Sequence, residues 1–300
     1  AEQAAPAQAV AAPGANAPRF FIDRIEVIGE NPLAEGATQR LLAPYLGEHV
    51  GFVGIQGGAQ YLEQELQRRG HAFHRVLIPE QRLSGGGPRF EVVAFRLDEL
   101  VIEGNDHFDA GNIRRSVPEL AVAGTPNTRA LARSLQLANA HPVKQLGLTV
   151  RRSDKPQHID AVVAVTDRSP HQFFANVNNR GTEGTGLERI SAGYQYANLF
   201  DLDQSVTITY STSPRQTDEV RQYGAAWRWP FYASGSELSA FYTYSDVDNG
   251  EVADFFTVSG RGRFHGLRFT QHLLQRARYR HSVVYGLDDI DRANLGPFRT

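Results

Sequence analysis

The 300-residue chain contains no cysteine and no methionine. Without cysteine there is neither a disulfide framework nor a thiolate metal site, and redox chemistry gives no reading of the compartment. An excess of one charge is also lacking. Thirty-one basic residues against 33 acidic ones leave a net of −2, too little for broad attraction to a polyanion, so nucleic acid is not an expected partner. No run approaches the roughly 18 to 20 apolar residues of a transmembrane helix, and a membrane role would have to be carried by strands. Catalytic signatures are missing as well. The ten histidines include no His-Glu-x-x-His, and His71 and His74 fall on a predicted strand with no carboxylate pattern beside them. There is no Gly-x-Ser-x-Gly elbow, and no acidic pair stands apart from ordinary turn carboxylates. "GRGRFHG" misses the dinucleotide fingerprint because its third glycine is displaced to Gly266 and no strand-to-helix turn follows. No enzymatic activity, cofactor or metal is expected.

What is present is a core-forming chain, 41% hydrophobic, long enough for two or three domains. Its opening "AEQAAPAQAV" reads as a mature form whose signal peptide ended before Ala1, and export is the expectation. Residues 1–18 are Ala, Pro, Gln and Gly with almost no large apolar side chain, a composition that reads as a linker. "RFFIDRIEVIG" predicts a strand stopped at Gly29, "PLAEGATQRLLAPYL" and "IQGGAQYLEQELQRRG" predict two helices, and "HAFHRVLIP" and "PRFEVVAFRL" predict a hairpin around "SGGG". The same order, strand-helix-helix-strand-strand, returns over the next seventy or so residues. "FFIDRIEVIGEN" and "FRLDELVIEGND" match in pattern and in the glycine where the chain must turn toward the first helix. Two copies of one α+β module are expected, over 19–95 and 96–168.

From about residue 169 helical periodicity vanishes. In "GLERISAGYQYANLF" the residues Ile190, Ala192, Tyr194 and Tyr196 alternate with Arg189, Ser191, Gly193 and Gln195, and "QSVTITYS", "RQYGAAWRW" and "ELSAFYTY" repeat the split. A soluble sandwich alternates in the same way. Aromatic residues at the ends of the apolar phase, and connections that alternate between short ("DLD", "ASGS", "LLQR") and long ("RGTEGTG", "SPRQTDE", "VDNGEVAD"), favour an outer-membrane β-barrel. Seven strands are predicted, at about 171–179, 187–199, 204–212, 220–231, 237–246, 255–271 and 278–287. Seven cannot close in lipid without unpaired edges, so 169–300 reads as the first part of a barrel, incomplete.

Two such modules feeding an antiparallel barrel resemble the TpsB transporters of two-partner secretion, the hemolysin secretion and activation family of the POTRA-barrel superfamily. The resemblance is carried by "RGHAFHRVLIPEQRLSGG" with Gly70, Pro79 and Gln81, by "LVIEGN", and by "NNRGTEGTG" followed by "ANLFDLDQ". His71 stands where the family usually has Tyr, and the short Ala/Pro segment is poorly patterned for the pore-plugging helix of many relatives. The resemblance implies periplasmic POTRA domains, a bacterial outer-membrane barrel in contact with lipid, and a partner exoprotein of hemolysin, adhesin or toxin type recognised through its N-terminal secretion domain. A barrel assembly factor and a soluble periplasmic binding protein are the competing readings.

Two sets of site residues follow. The strands His74, Arg75, Val76, Leu77, Ile78 and Lys144, Gln145, Leu146, Gly147, Leu148, Thr149, Val150 each come after a helix and are expected at sheet rims, where an extended substrate segment adds a strand. Arg189, Arg228, Arg261 and Arg263 are placed on the polar phase of the barrel strands as pore-lining residues, an assignment equally compatible with structural pairing to acidic side chains. The transporter is expected to act as a monomer.

Overall fold

A computed structural model describes residues 19–50, 52–81, 87–218, 220–246, 250–252, 256–258, 262–275 and 279–292. The predicted linker over 1–18, residues 84–86 of the "SGGG" turn, and Arg261 lie outside the described residues. The chain divides into two compact units, one of residues 1–99, 121–129 and 151–160, the other of 100–120, 130–150 and 161–300.

The first module runs β1 (Arg19–Ile22), β2 (Glu26–Gly29), α1 (Glu35–Leu42), β3 (Gly47–Val50), α2 (Val53–Arg68), β4 (His74–Leu77) and β5 (Arg89–Ala94). Helix α2 buries Ile55, Ala59, Leu62 and Leu66, one stripe at helical spacing. The stripe joins Ile22, Leu42, Phe90 and Val92 in a single core, each large side chain contributing about 1.5–3 kcal/mol by leaving water. Gly70 ends the helix with φ +92°, a left-handed conformation that an L side chain rarely adopts. The strand expected as one piece over "RFFIDRIEVIG" is two. β1 pairs antiparallel with β3, whereas β2 pairs parallel with β5; the chain breaks at residues 23–25 because the two halves serve different sheets.

The second module runs β6 (Arg96–Glu103), α3 (Ala110–Ser116), α4 (Thr128–Asn139), β7 (Lys144–Arg152) and β8 (His158–Asp167). Asp109 caps α3 by accepting the Asn112 N–H at 2.6 Å. Both modules build a three-stranded sheet of the same order, β2-β5-β4 and β6-β8-β7, with the first strand of the hairpin at one rim. The repeated glycines explain the sequence match. Gly29 and Gly104 have φ +83° and +78°, and a Cβ would lie 2.4 Å from the Val92 carbonyl oxygen in the first module and 2.5 Å from that of Val165 in the second. Left-handed backbone and a carbonyl at that distance leave room for hydrogen only.

The remaining strands are β9 (His171–Asn178), β10 (Arg189–Leu199), β11 (Gln204–Thr212), β12 (Arg221–Phe231), β13 (Ser236–Ser245), β14 (Gly250–Val252), β15 (Phe256–Val258), β16 (Gly262–His272) and β17 (Ser282–Arg292). Seven of them form one antiparallel sheet in the order β17-β16-β13-β12-β11-β10-β9. The predicted strand 255–271 is corrected: 256–258 pairs with 250–252 as a separate small hairpin, and β16 begins at Gly262. Register fixes two faces, since directly paired residues share a side. Tyr194, Ile208, Ala225, Tyr242 and His265 lie on one, and Gln195, Thr207, Ala226, Phe241 and Gly266 on the other. The first face exposes Phe173, Ile208, Tyr223, Tyr242, Leu267 and Tyr285, an apolar area that water does not favour. Among the described residues, no helix is long and apolar enough to cross a membrane.

Candidate functional site

Both predicted docking strands occupy sheet rims. In β4 the side chain of His74 is buried while Leu77 is exposed, and Ile78 falls just beyond the strand. His71 and His74 meet edge to face at 5.3 Å. Burial holds both imidazoles below their ordinary pKa, helped by Arg69 beside His71 and by His71 beside His74. The rim is not bare: Glu63 of α2 accepts the Val76 N–H at 3.0 Å and pairs with Arg75. Where β4 ends, Gln81 takes its place along β5, donating to the Arg89 carbonyl at 2.9 Å and accepting the Arg89 N–H at 2.7 Å. That is the physical role of the Pro79-x-Gln81 pattern here.

In β7, Gln145, Gly147, Thr149 and Val150 are exposed and Leu148 is partly buried. Two residues differ from expectation. Lys144 is 1% exposed and its ammonium turns inward, so it presents no charge to an incoming strand. The backbone of Leu146 is already used in both directions by Asn139, whose amide donates to the Leu146 carbonyl at 3.0 Å and accepts its N–H at 2.6 Å.

The inward turn of Lys144 leads to a buried polar network that sequence reasoning missed. Lys144 Nζ donates to Asp203 Oδ2 at 2.6 Å, Asn112 Oδ1 at 2.7 Å and Ser116 Oγ at 3.0 Å, which uses all three ammonium donors. Asp203 also accepts from Asn112 Nδ2 at 2.9 Å and from the Tyr232 hydroxyl at 2.6 Å. Burial pushes Asp203 up, but Lys144, His141 and the hydrogen bonds of Lys144 and Tyr232 together hold it below the ordinary carboxylate value. Burial pushes Lys144 down against the pull of Asp203, and with Asp203 pushes Tyr232 well above 10. His141 donates from Nε2 to the Ala197 carbonyl at 2.7 Å, and burial lowers its pKa to about 4, so its ring is neutral.

The network organises the connection between β10 and β11, where Phe200, Asp201 and Asp203 have φ of 57°, 56° and 56°. Left-handed backbone costs non-glycine residues about 1–2 kcal/mol each. Asn112 and Arg115 of α3 offset this by donating to the Asp201 carbonyl, and Arg115 pairs with the Asp201 carboxylate. Helix α4 grips the connection between β12 and β13 in parallel, with Ser134 Oγ donating to the Tyr232 carbonyl at 3.2 Å and Arg133 to that of Ala233 at 2.9 Å. The signal in the sequence was the "ANLFDLDQ" stretch, which marked the turn without naming its partner.

The three predicted pore arginines among the described residues separate. Arg228 lies on the polar face, paired with Glu237 at 2.6 Å, beside a cavity of about 540 Å³ that also touches Gln195, Thr207, Ser239 and Arg268. Arg189 shares that face with Ser191, but its guanidinium is folded into its own loop, donating to Gly186 O at 2.6 Å and Thr185 Oγ1 at 2.7 Å. Arg263 is a correction: it pairs with Tyr244 and has the same parity as Leu267 and Phe269, so it belongs to the apolar face near the strand end. The polar-phase cation of β16 is Arg268, opposite Ser239 and bonded to Asp288 at 2.9 Å. Among the described residues no group of three or more metal-ligating side chains occurs.

A family model described as "Haemolysin secretion/activation protein ShlB/FhaC/HecB" matches residues 158–295, and one described as "POTRA domain, ShlB-type" matches residues 20–93. The "Outer membrane transporter CdiB" of Escherichia coli is 22% identical over 249 residues, covering 83% of this chain and 41% of that protein. "Outer membrane transporter CdiB-2" of Burkholderia pseudomallei (strain 1026b) is 25% identical over 178 residues, covering 56% of this chain and 30% of that protein. The solved structure of CdiB from Escherichia coli has the same fold, with a TM-score of 0.72 at 19% identity over 94% of this chain and 52% of its own. The chain therefore spans about half or less of the length of the relatives it matches. The POTRA module at the start of the chain and the barrel-type antiparallel sheet at its end thus match the ShlB-type POTRA domain over residues 20–93 and the haemolysin secretion/activation family over residues 158–295.

Proposed function

We propose that the protein containing this chain is an outer-membrane transporter that recognises and secretes one large exoprotein of hemolysin, adhesin or toxin type. Residues 19–95 and 96–168 act as two periplasmic POTRA domains, and 169–300 contribute the first strands of the barrel, which works as a monomer. The two-faced sheet is the observation that carries this reading. An eleven-residue strand such as β10, rising about 3.3 Å per residue and tilted about 45°, spans roughly 26 Å, the height of an outer-membrane apolar band. Its apolar face meets lipid and its polar face, with Arg228 and Arg268, meets the lumen. The exoprotein docks unfolded by strand addition at a module rim, threads through the pore, and folds outside, which gives direction without a cofactor.

Deletion of the gene in the producing bacterium tests the assignment. The exoprotein is expected to disappear from the medium while porin levels in the outer membrane stay unchanged. Continued secretion together with loss of porins would replace the reading by that of a barrel assembly factor.

A further inference from the structure

The rims of the two modules carry the same device in different strengths. At β4 the Val76 N–H points away from β5, because Glu63 accepts it at 3.0 Å. Alternation along an antiparallel ladder then turns Arg75 and Leu77 toward β5 and leaves Val76 as the central outward donor of a four-residue rim strand. An added strand needs that donor. Glu63 therefore stands where the carbonyl of an incoming strand must sit. It is carried by α2, on the wall of a groove of about 450 Å³ that runs between Gln60, Gln64 and Gln67 and the residues Val76 and Ile78.

A carboxylate only accepts, so Glu63 takes the donor of Val76 and offers nothing to its carbonyl. It is also partly exposed, its side chain 22% accessible, and it keeps the Arg75 guanidinium as a second partner. Displacing it leaves the charge paired and close to water, which makes release inexpensive. Asn139 at β7 differs on each point. Its neutral amide both donates to and accepts from Leu146, reproducing the two hydrogen bonds of a neighbouring strand, and displacement must break both.

We propose that Glu63 is a releasable latch on the docking strand β4, displaced by the backbone of the secreted segment, and that Asn139 is its closed counterpart on β7. This rests on the strand-addition reading of the transporter. The occupant is an extended stretch of the exoprotein's N-terminal domain, recognised at Val76 through its main chain.

The test uses the full-length transporter in detergent and, as probe, the N-terminal domain of the exoprotein encoded beside it. Glu63→Ala, a change on a helix surface, is expected to tighten binding at least roughly tenfold, the worth of one charge-assisted hydrogen bond no longer to be broken. Glu63→Gln keeps an acceptor and is expected to bind close to the parent. Amide hydrogen exchange is read in parallel, and bound domain is expected to protect 74–78 and leave 144–150 unchanged. Absence of protection at 74–78 overturns docking at β4 itself. Protection at 74–78 with unchanged or weaker binding by Glu63→Ala overturns the latch alone, and new protection at 144–150 overturns the closed role of Asn139.

Discussion

Lys144 Nζ lies 2.6 Å from Asp203 Oδ2 with both side chains withdrawn from water, 59 positions apart in the chain. One charge begins strand β7 of the second module and the other ends the turn between β10 and β11. A buried pair of this kind adds little net stability against an apolar alternative, yet removing one partner leaves an uncompensated charge. Lys144→Met is therefore expected to destabilise by about 3–5 kcal/mol, and Lys144→Met combined with Asp203→Asn by clearly less. Denaturant unfolding of the detergent-solubilised protein, followed through Trp227 and Trp229, measures both. Equal losses in the single and the double variant would show that the ion pair is not the unit.

His141 gives the joint a pH dependence of known sign. Its folded pKa, about 4, lies below the ordinary 6.5 because burial penalises the imidazolium. The unfolded chain therefore binds the extra proton more readily, and stability falls as pH drops from about 6.5 toward 4. The full difference is roughly 3 kcal/mol. Asp203, held below the ordinary carboxylate value, loses its contribution only further down, as pH falls through its folded pKa. Unfolding midpoints at pH 7 and pH 4.5 are expected to differ more in the parent protein than in His141→Gln, which has no proton to take up.

The paired glycines of the two modules make a third expectation. Gly29→Ala and Gly104→Ala each force a Cβ against a backbone carbonyl in left-handed backbone, and each is expected to cost at least about 1–2 kcal/mol. Limited proteolysis distinguishes them, with cleavage rising within the module that carries the change. A neutral Gly104→Ala would break the equivalence of the two modules on which the repeat rests.

The parts of the fold legible in the sequence are those written in local periodicity. The two-residue alternation of Ile190 to Tyr196 located β10, and the glycine at the end of each first strand exposed the repeat, because both signals sit within a few residues. β1 and β3 escaped because four-residue strands that pair with each other across a helix carry no periodicity of their own. The Lys144 network was illegible for a different reason. Its members come from α3, β7 and two strand connections, and nothing near Lys144 distinguishes a lysine turned inward from one on a rim. The side chain of Asn139, which stands in for a strand on Leu146, is equally invisible, since any exposed amide has the same local pattern, and the Pro79-x-Gln81 pattern marked Gln81 without showing that it does the same on Arg89.

The phase of β16 decides which cation the polar face of the sheet presents. Arg261 lies outside the described residues, so counting from it sets no parity, while register with β13 does. Ser239 opposite Arg268 and Tyr244 opposite Arg263 put Arg268 on the polar face of the sheet and Arg263 on the apolar face. An Arg at the bilayer midplane costs about 2–4 kcal/mol but near the interface only about 0–1, and Arg263 sits at the second position of its strand, in register with the row Tyr210, Tyr223 and Tyr244. Because this chain has no cysteine, single cysteines placed at 228, 263 and 268 report without background from it. In full-length protein in vesicles, a water-soluble maleimide is expected to label 228 and 268, and a lipid-phase reagent to label a cysteine at Leu267 in preference to 268. Labelling of 268 from lipid would reverse the phase of β16, put Arg263 on the face that carries Arg228, and remove Arg268 from it.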